Sequence, residues 1–150
     1  MSFIQDLDAS PSAPLQRQER TFYASEVITV GQFLAIDTAK SLTVIPTYVK
    51  LLNLTGGGTH TNSFLFVGVA LEAAAAIGDK VRVCTAGYVT GVMEGTVAVN
   101  SCLVPSTTAG GAQAAPNQND GTAHIRKIGV ALEAATDGQT KACWIYPSGF

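Results

Sequence analysis

Charge is scarce in this chain. Of its 150 residues, 13% are Asp, Glu, Lys or Arg, about half of the ~25% usual in soluble domains. A surface not covered by charge is often covered by a partner. The nine basic residues are scattered and the net charge is −2, so no basic patch exists to neutralise phosphates and a nucleic-acid partner is excluded. Cysteine is sparse and unpaired in pattern: Cys84, Cys102 and Cys143 are an odd number, far apart, with no Cys-x-x-Cys. That excludes a fully paired disulfide framework and a zinc ribbon, and three reduced thiols packed as small apolar side chains are expected. Aromatics make up 7% and are dispersed, so no stacking platform for bases or sugars is indicated. The longest apolar run, 64–71, has eight residues and stops at Glu72, against ~20 for a bilayer span. Residues 1–10 carry Asp6 and Asp8 and no apolar stretch, unlike a signal peptide. No membrane partner is expected.

Catalytic patterns are missing as well. Gly56-Gly57-Gly58 lacks the Gly-Lys-Ser/Thr of a phosphate loop and has no helix signal behind it, so it reads as a hairpin tip. His60 and His124 are 64 positions apart, without helical spacing to other ligands. No Gly-x-Ser-x-Gly elbow and no local Ser/His/Asp grouping occurs. Glu72 and Glu133 are the only interesting carboxylates. Each is read as ending a strand and accepting backbone N–H bonds from the following loop, because pseudo-symmetry mates seldom meet as a catalytic pair. No catalytic residue, cofactor or metal ligand is assigned.

What the chain does have is a repeat. Gly68-Val69-Ala70-Leu71-Glu72-Ala73-Ala74 recurs as Gly129-Val130-Ala131-Leu132-Glu133-Ala134-Ala135, and such self-similarity is a statement about architecture. A weaker echo links 28–34 (ITVGQFL) with 97–103 (VAVNSCL), where Asn100 replaces Gly31 at the turn. Half the chain is a marginal size to fold alone, so the copies are expected to share a core, with Val69, Leu71, Val130 and Leu132 facing it. Short apolar stretches separated by turn residues predict an all-β protein, a compact barrel or sandwich of two similar halves over residues 21–150. The predicted strands are 21–23, 27–30, 33–36, 41–45, 49–54, 64–71, 80–84, 87–91, 96–99, 103–104, 128–132 and 141–146. Alanine over 73–76 favours helix, but the second copy continues into Asp137-Gly138, so both stretches read as short loops. Residues 106–121 are small and polar and read as a long surface loop.

Residues 1–20 differ from the remainder. Pro11 and Pro14 forbid a continuous helix, and no periodic pattern develops. The segment reads as an extended N-terminal arm whose apolar anchors, Phe3, Ile4, Leu7 and Leu15, are candidate capsid or oligomer contacts.

The repeated Gly-Val-Ala-Leu-Glu-Ala-Ala, followed by a glycine turn and the strand Lys80-Val81-Arg82-Val83, resembles a family of tailed-bacteriophage head proteins, the capsid decoration or cement proteins. Val30-Gly31-Gln32-Phe33-Leu34 carries the same resemblance, which spans roughly residues 25–146. It implies a β-rich, non-enzymatic protein on the outer capsid surface of the virion, a homotrimer with the major capsid protein as partner, clamping neighbouring subunits. The alternative from another class is a carbohydrate- or receptor-binding β-module of a spike or fibre. An enzyme with a spatially assembled site ranks third.

Overall fold

The computed structural model describes residues 17–41, 48–53, 65–115 and 126–147. Among the described residues nine strands follow one another: β1 (Arg17–Ala24), β2 (Phe33–Ile36), β3 (Tyr48–Leu51), β4 (Phe66–Ala70), β5 (Lys80–Val92), β6 (Cys102–Pro105), β7 (Ala112–Ala114), β8 (Gly129–Ala131) and β9 (Thr140–Ile145). One four-residue helix, α1 (Thr38–Ser41), lies between β2 and β3. The Asp37 carboxylate starts it by accepting the Ala39 N–H at 3.0 Å.

The strands form two small closed rings. In the first, the order β1-β3-β2-β4-β5 is closed by pairing of β1 with β5. In the second, β5-β9-β8-β6-β7 is closed by the parallel bridge between Met93, just past β5, and Ala112 of β7. Closure removes the exposed edges that invite unwanted pairing. The rings share β5, whose 13 residues pair early with β4 and β1 and later with β9. The expected barrel of two similar halves is thus two barrels on one common strand.

Equivalent backbone bonds run through both. Ile28 and Ala74 exchange N–H···O bonds at 2.9 and 2.8 Å, as Val97 and Ala135 do at 2.9 Å each. Gly31 (φ 88°) donates to the Ala70 carbonyl, and Asn100 (φ 68°) to that of Ala131. Gly78 donates to Ala24, and Gly138 to Met93. The first residue of the repeated motif must be glycine, because a Cβ at Gly68 would overlap the Cys84 carbonyl and one at Gly129 the Trp144 carbonyl.

The cores follow strand alternation. Leu34, Ile36, Val67, Ala70, Val81 and Val83 fill barrel 1 together with Phe22 and Val49. The alternate residues Phe33, Ala35, Phe66, Val69 and Cys84 point out of barrel 1 and join a second cluster with Val89, Met93, Leu103, Ala131, Cys143 and Ile145 of barrel 2. β2 and β4 are therefore buried on both faces. Burial of each Val, Leu, Ile, Phe or Met among them stabilises by roughly 1.5–3 kcal/mol relative to exposure.

Several sequence expectations need correction. Residues 17–20, assigned to the arm, are paired strand, Arg17 lying opposite Gly87 and Arg20 opposite Val83. The stretches 27–30 and 96–99 contribute only single bridges, at Ile28 and Val97, because the chain must turn at Gly31 and Asn100. Strands 80–84 and 87–91 are one, bent at a bulge between the pairs Gln18–Ala86 and Glu19–Cys84. The 106–121 loop contains β7, paired with β6; its residues 116–121 lie outside the described residues. Ser41, expected in a strand, ends α1.

Candidate interaction surface

The identical motif copies have unlike surroundings. Val69 is fully buried, and Leu71 packs against the core cluster. Val130 is half-buried and Leu132 is 40% exposed. Val69 and Leu71 thus face the core that both barrels line, as expected, whereas Val130 and Leu132 point away from it, contrary to expectation. Barrel 2 covers these side chains of copy 1, and among the described residues no second barrel covers those of copy 2.

Cross-strand register extends the comparison. On barrel 1, Phe33 lies opposite Val69 and Val69 opposite Cys84. All three are buried at 0% exposure. On barrel 2 the matching row is Cys102 opposite Val130, Val130 opposite Trp144, and Trp144 opposite Tyr88. Directly opposed residues share one face of the sheet, so these four side chains make an outward apolar stripe. Cys102, Val130 and Trp144 are half-buried, and Tyr88 is 45% exposed. Leu132, two residues past Val130, lies on the same side, and the turn bearing Val99 (51% exposed) hydrogen-bonds to Ala131.

Two shallow grooves flank the stripe. One of about 360 Å³ runs past Trp144, Pro147, Arg17 and Gly87. The other, about 260 Å³, holds Val30, Leu71, Arg82, Tyr88 and Thr90, with Arg17 at its edge. Arg17 pairs with Glu19 at 2.8 Å, and Arg82 reaches Glu19 at 3.7 Å and Glu72 at 3.4 Å. This network marks a solvated face on barrel 1 beside the apolar face on barrel 2.

The remaining candidates resolve individually. Glu133 accepts a backbone N–H as expected, but from Ala142 of β9 at 2.9 Å and not from the loop that follows it. Glu72 pairs with the Arg82 guanidinium instead, Arg82 standing where the second copy has Ala142. The three cysteines are free; Cys84 and Cys143 are buried, and Cys102 is half-buried rather than packed away. Burial, with a smaller contribution from nearby Cys84, pushes the Cys143 thiol up to about 12. Burial likewise raises the Cys84 thiol. Desolvation and the hydrogen bond that protonated Glu94 donates to the Asp137 carboxylate raise the Glu94 carboxyl, while the Gly95 N–H holds that of Asp137 down. Among the described residues no group of three or more His, Cys, Asp or Glu could hold a metal, and no helix is long and apolar enough to cross a membrane. Phe3, Ile4, Leu7 and Leu15, the glycine run and both histidines lie outside the described residues.

Sequence reasoning overlooked the stripe. Its signal was the unbroken apolar run Ala142-Cys143-Trp144-Ile145, which as a strand must present apolar side chains on both faces.

No family model matches the chain, and no curated protein sequence matches it. Its fold is similar to that in the crystal structure of the head fiber gp8.5 N base in bacteriophage phi29, with TM-score 0.58 and 15% identity, covering 89% of this chain and 98% of that one.

Proposed function

We propose that this chain is a non-enzymatic structural protein of a bacteriophage head, bound to the outer capsid surface as a homo-oligomer and bridging neighbouring major capsid subunits. The observation that carries the reading is the fold shared with a phage head fiber base over 89% of the chain. The low charge and the apolar outer stripe suit a protein whose task is contact area. We assign capsid attachment to residues 1–16 ahead of β1, anchored by Phe3, Ile4, Leu7 and Leu15. With four apolar anchors one arm binds weakly, and several arms on one oligomer bind together through avidity.

The test adds purified protein to undecorated heads, followed by co-sedimentation and imaging. The full chain is expected to decorate, and a chain starting at Arg17 to bind at least about tenfold more weakly with an almost unchanged melting temperature. Failure of the full chain to bind any head overturns the reading. Unimpaired decoration by the truncated chain moves attachment to the barrels. The description of the structural neighbour as a fiber base favours one second reading, a base module that anchors a spike or fibre on the head; images showing density projecting beyond the barrels would select it.

A further inference from the structure

Closure of the two rings leaves, among the described residues, a gap along one edge of β5. Successive residues of a paired strand turn their backbone groups to opposite edges. Met93 donates its N–H to the Gln139 carbonyl on the side of β9, and Val92 donates to the Gly31 carbonyl on the other side. By that alternation Tyr88 and Thr90 also face away from β9. The far edge is filled at both ends, by Gln18 of β1 opposite Ala86 and by Gly31 at Val92. Between those ends, among the described residues, Tyr88 pairs only with Trp144 and Thr90 only with Ala142, both on β9. The Cys84 thiol approaches the Tyr88 carbonyl at 3.9 Å, and a thiol is a weak donor.

Unpaired backbone on a strand edge is a template for another extended segment. Apolar surface lies open beside it. The groove of about 260 Å³ follows this edge, with Val30, Leu71 and Val89 in its wall and Arg17 at one end. Val30 is 56% exposed and Leu71 half-buried.

We infer that the residues just ahead of β1 fill the gap as added strand, Gln16 opposite Tyr88, Leu15 opposite Val89 and Pro14 opposite Thr90. The place where β1 begins identifies this occupant. Arg17 lies opposite Gly87, at the near end of the gap, and β1 runs antiparallel to β5, so the same register continued residue by residue gives those three pairs. The sequence suits each position. Gln16 has the N–H and the carbonyl that Tyr88 requires. Leu15 shares a face with Val89 and brings an apolar side chain to the groove. Pro14 accepts the Thr90 N–H but has none to return, which a strand tolerates at its first residue, so pairing stops short of Gly31. At about 3.4 Å per residue, three residues span Tyr88 to Thr90. Leu15 thereby roots the arm on its own barrel, and the free part of the arm starts beside the Val30 turn. The role this leaves to Phe3, Ile4 and Leu7 rests on the capsid reading above. The docking does not, and its test involves no capsid, so the two can fail separately.

The experiment follows amide hydrogen exchange by NMR in wild type, in a chain starting at Arg17 and in full-length Leu15→Asp. Tyr88 and Thr90 report on the gap. Val89, paired with Cys143, and Val92, bonded to Gly31, report on the fold. In wild type all of these amides are expected to be protected. In both altered chains Tyr88 and Thr90 should exchange at least about tenfold faster while Val89 and Val92 keep their rates. Leu15→Asp retains the whole arm, so it stays informative if the shorter chain folds poorly. Fast exchange of Tyr88 and Thr90 in wild type overturns the inference, as does protection that survives either change. Protection that fades on dilution also overturns it and gives the gap to the arm of a second copy. Protection that arises only on heads overturns it too, and gives the gap to a capsid strand.

Discussion

Gly91 is the position where the two barrels are most tightly fitted, and its replacement gives a quantitative test. By register, Gly91 opposite Lys141 corresponds to Phe22 opposite Val81 in barrel 1. Phe22 is buried in the core of its own barrel. In barrel 2 the side chain is absent, and the ring of Phe33 from barrel 1 lies there instead. A methyl group at Gly91 would sit 2.6 Å from Phe33 Cε2, 2.7 Å from Cζ and 3.6 Å from Cys143 Sγ. Carbon atoms pack best at about 3.5–4.0 Å, so the overlap is roughly 1 Å. Phe33 cannot swing aside, being fully buried with its ring centroid 6.3 Å from that of Phe66. Overpacking of this kind costs about 1–3 kcal/mol. Removing the freedom of glycine in the unfolded chain offsets about 0.4–1 kcal/mol of that. Gly91→Ala should therefore destabilise by about 1–2 kcal/mol and lower the melting temperature by roughly 2–8 °C. In a Phe33→Leu background the methyl group has room, and the same substitution should become neutral or stabilising. Urea unfolding of the four members of this cycle should give a coupling energy of about 1–3 kcal/mol. Effects that add to within about 0.5 kcal/mol would refute the fitted contact between the barrels.

Other expectations are simpler. Leu34→Ala, inside barrel 1, should cost about 2–5 kcal/mol in denaturant unfolding, whereas Glu72→Gln should cost under about 1 kcal/mol because its pair with Arg82 is exposed. Asn100→Val should destabilise by about 1–2 kcal/mol, since a branched side chain is disfavoured at φ 68°; an unchanged midpoint would contradict that turn geometry. Alkylation of native protein at pH 8 should leave Cys84 and Cys143 unmodified, and alkylation after unfolding should modify all three thiols; a mass short by two labels would reveal a disulfide. The Glu94 carboxyl is raised above 4.5, so its ionisation costs stability as pH rises through that folded value, and Glu94→Gln should gain on wild type between pH 4 and pH 7. Asp137 is held below 3.8, so its contribution is present above that pH and fades as pH falls through its folded value. Asp137→Asn should therefore lie furthest below wild type near neutrality in melting scans.

The all-β class was legible in alternation and turn residues, and the repeat in plain identity of residues. Strand 33–36 could be read to the residue because Gly31 and Asp37 bracket it. The shared strand could not, since Thr85 and Gly87 look like a turn, and only tertiary pairing with β1 and β9 carries one bulged strand through them. Arg17–Arg20 were misread for a related reason: their polar side chains face solvent on a strand that barrel closure holds in place. The stripe was legible in principle at 142–145, yet an apolar run alone does not say whether its outer face is covered. The fates of Leu71 and Leu132 make the point. Seven identical residues adopt one backbone, and their burial is decided by what lies across from them, which no local pattern records.

Because β5 belongs to both rings, its loss would leave four raw sheet edges at once, two in each barrel. Opening either ring at β5 therefore leaves the other unsupported, so the chain should possess no stable half. The consequence is kinetic as well as thermodynamic. Amides of Val83 and Val89, though in different barrels, should exchange with solvent at one common rate set by global unfolding, and a protease given only native protein should find no partly opened intermediate to cut.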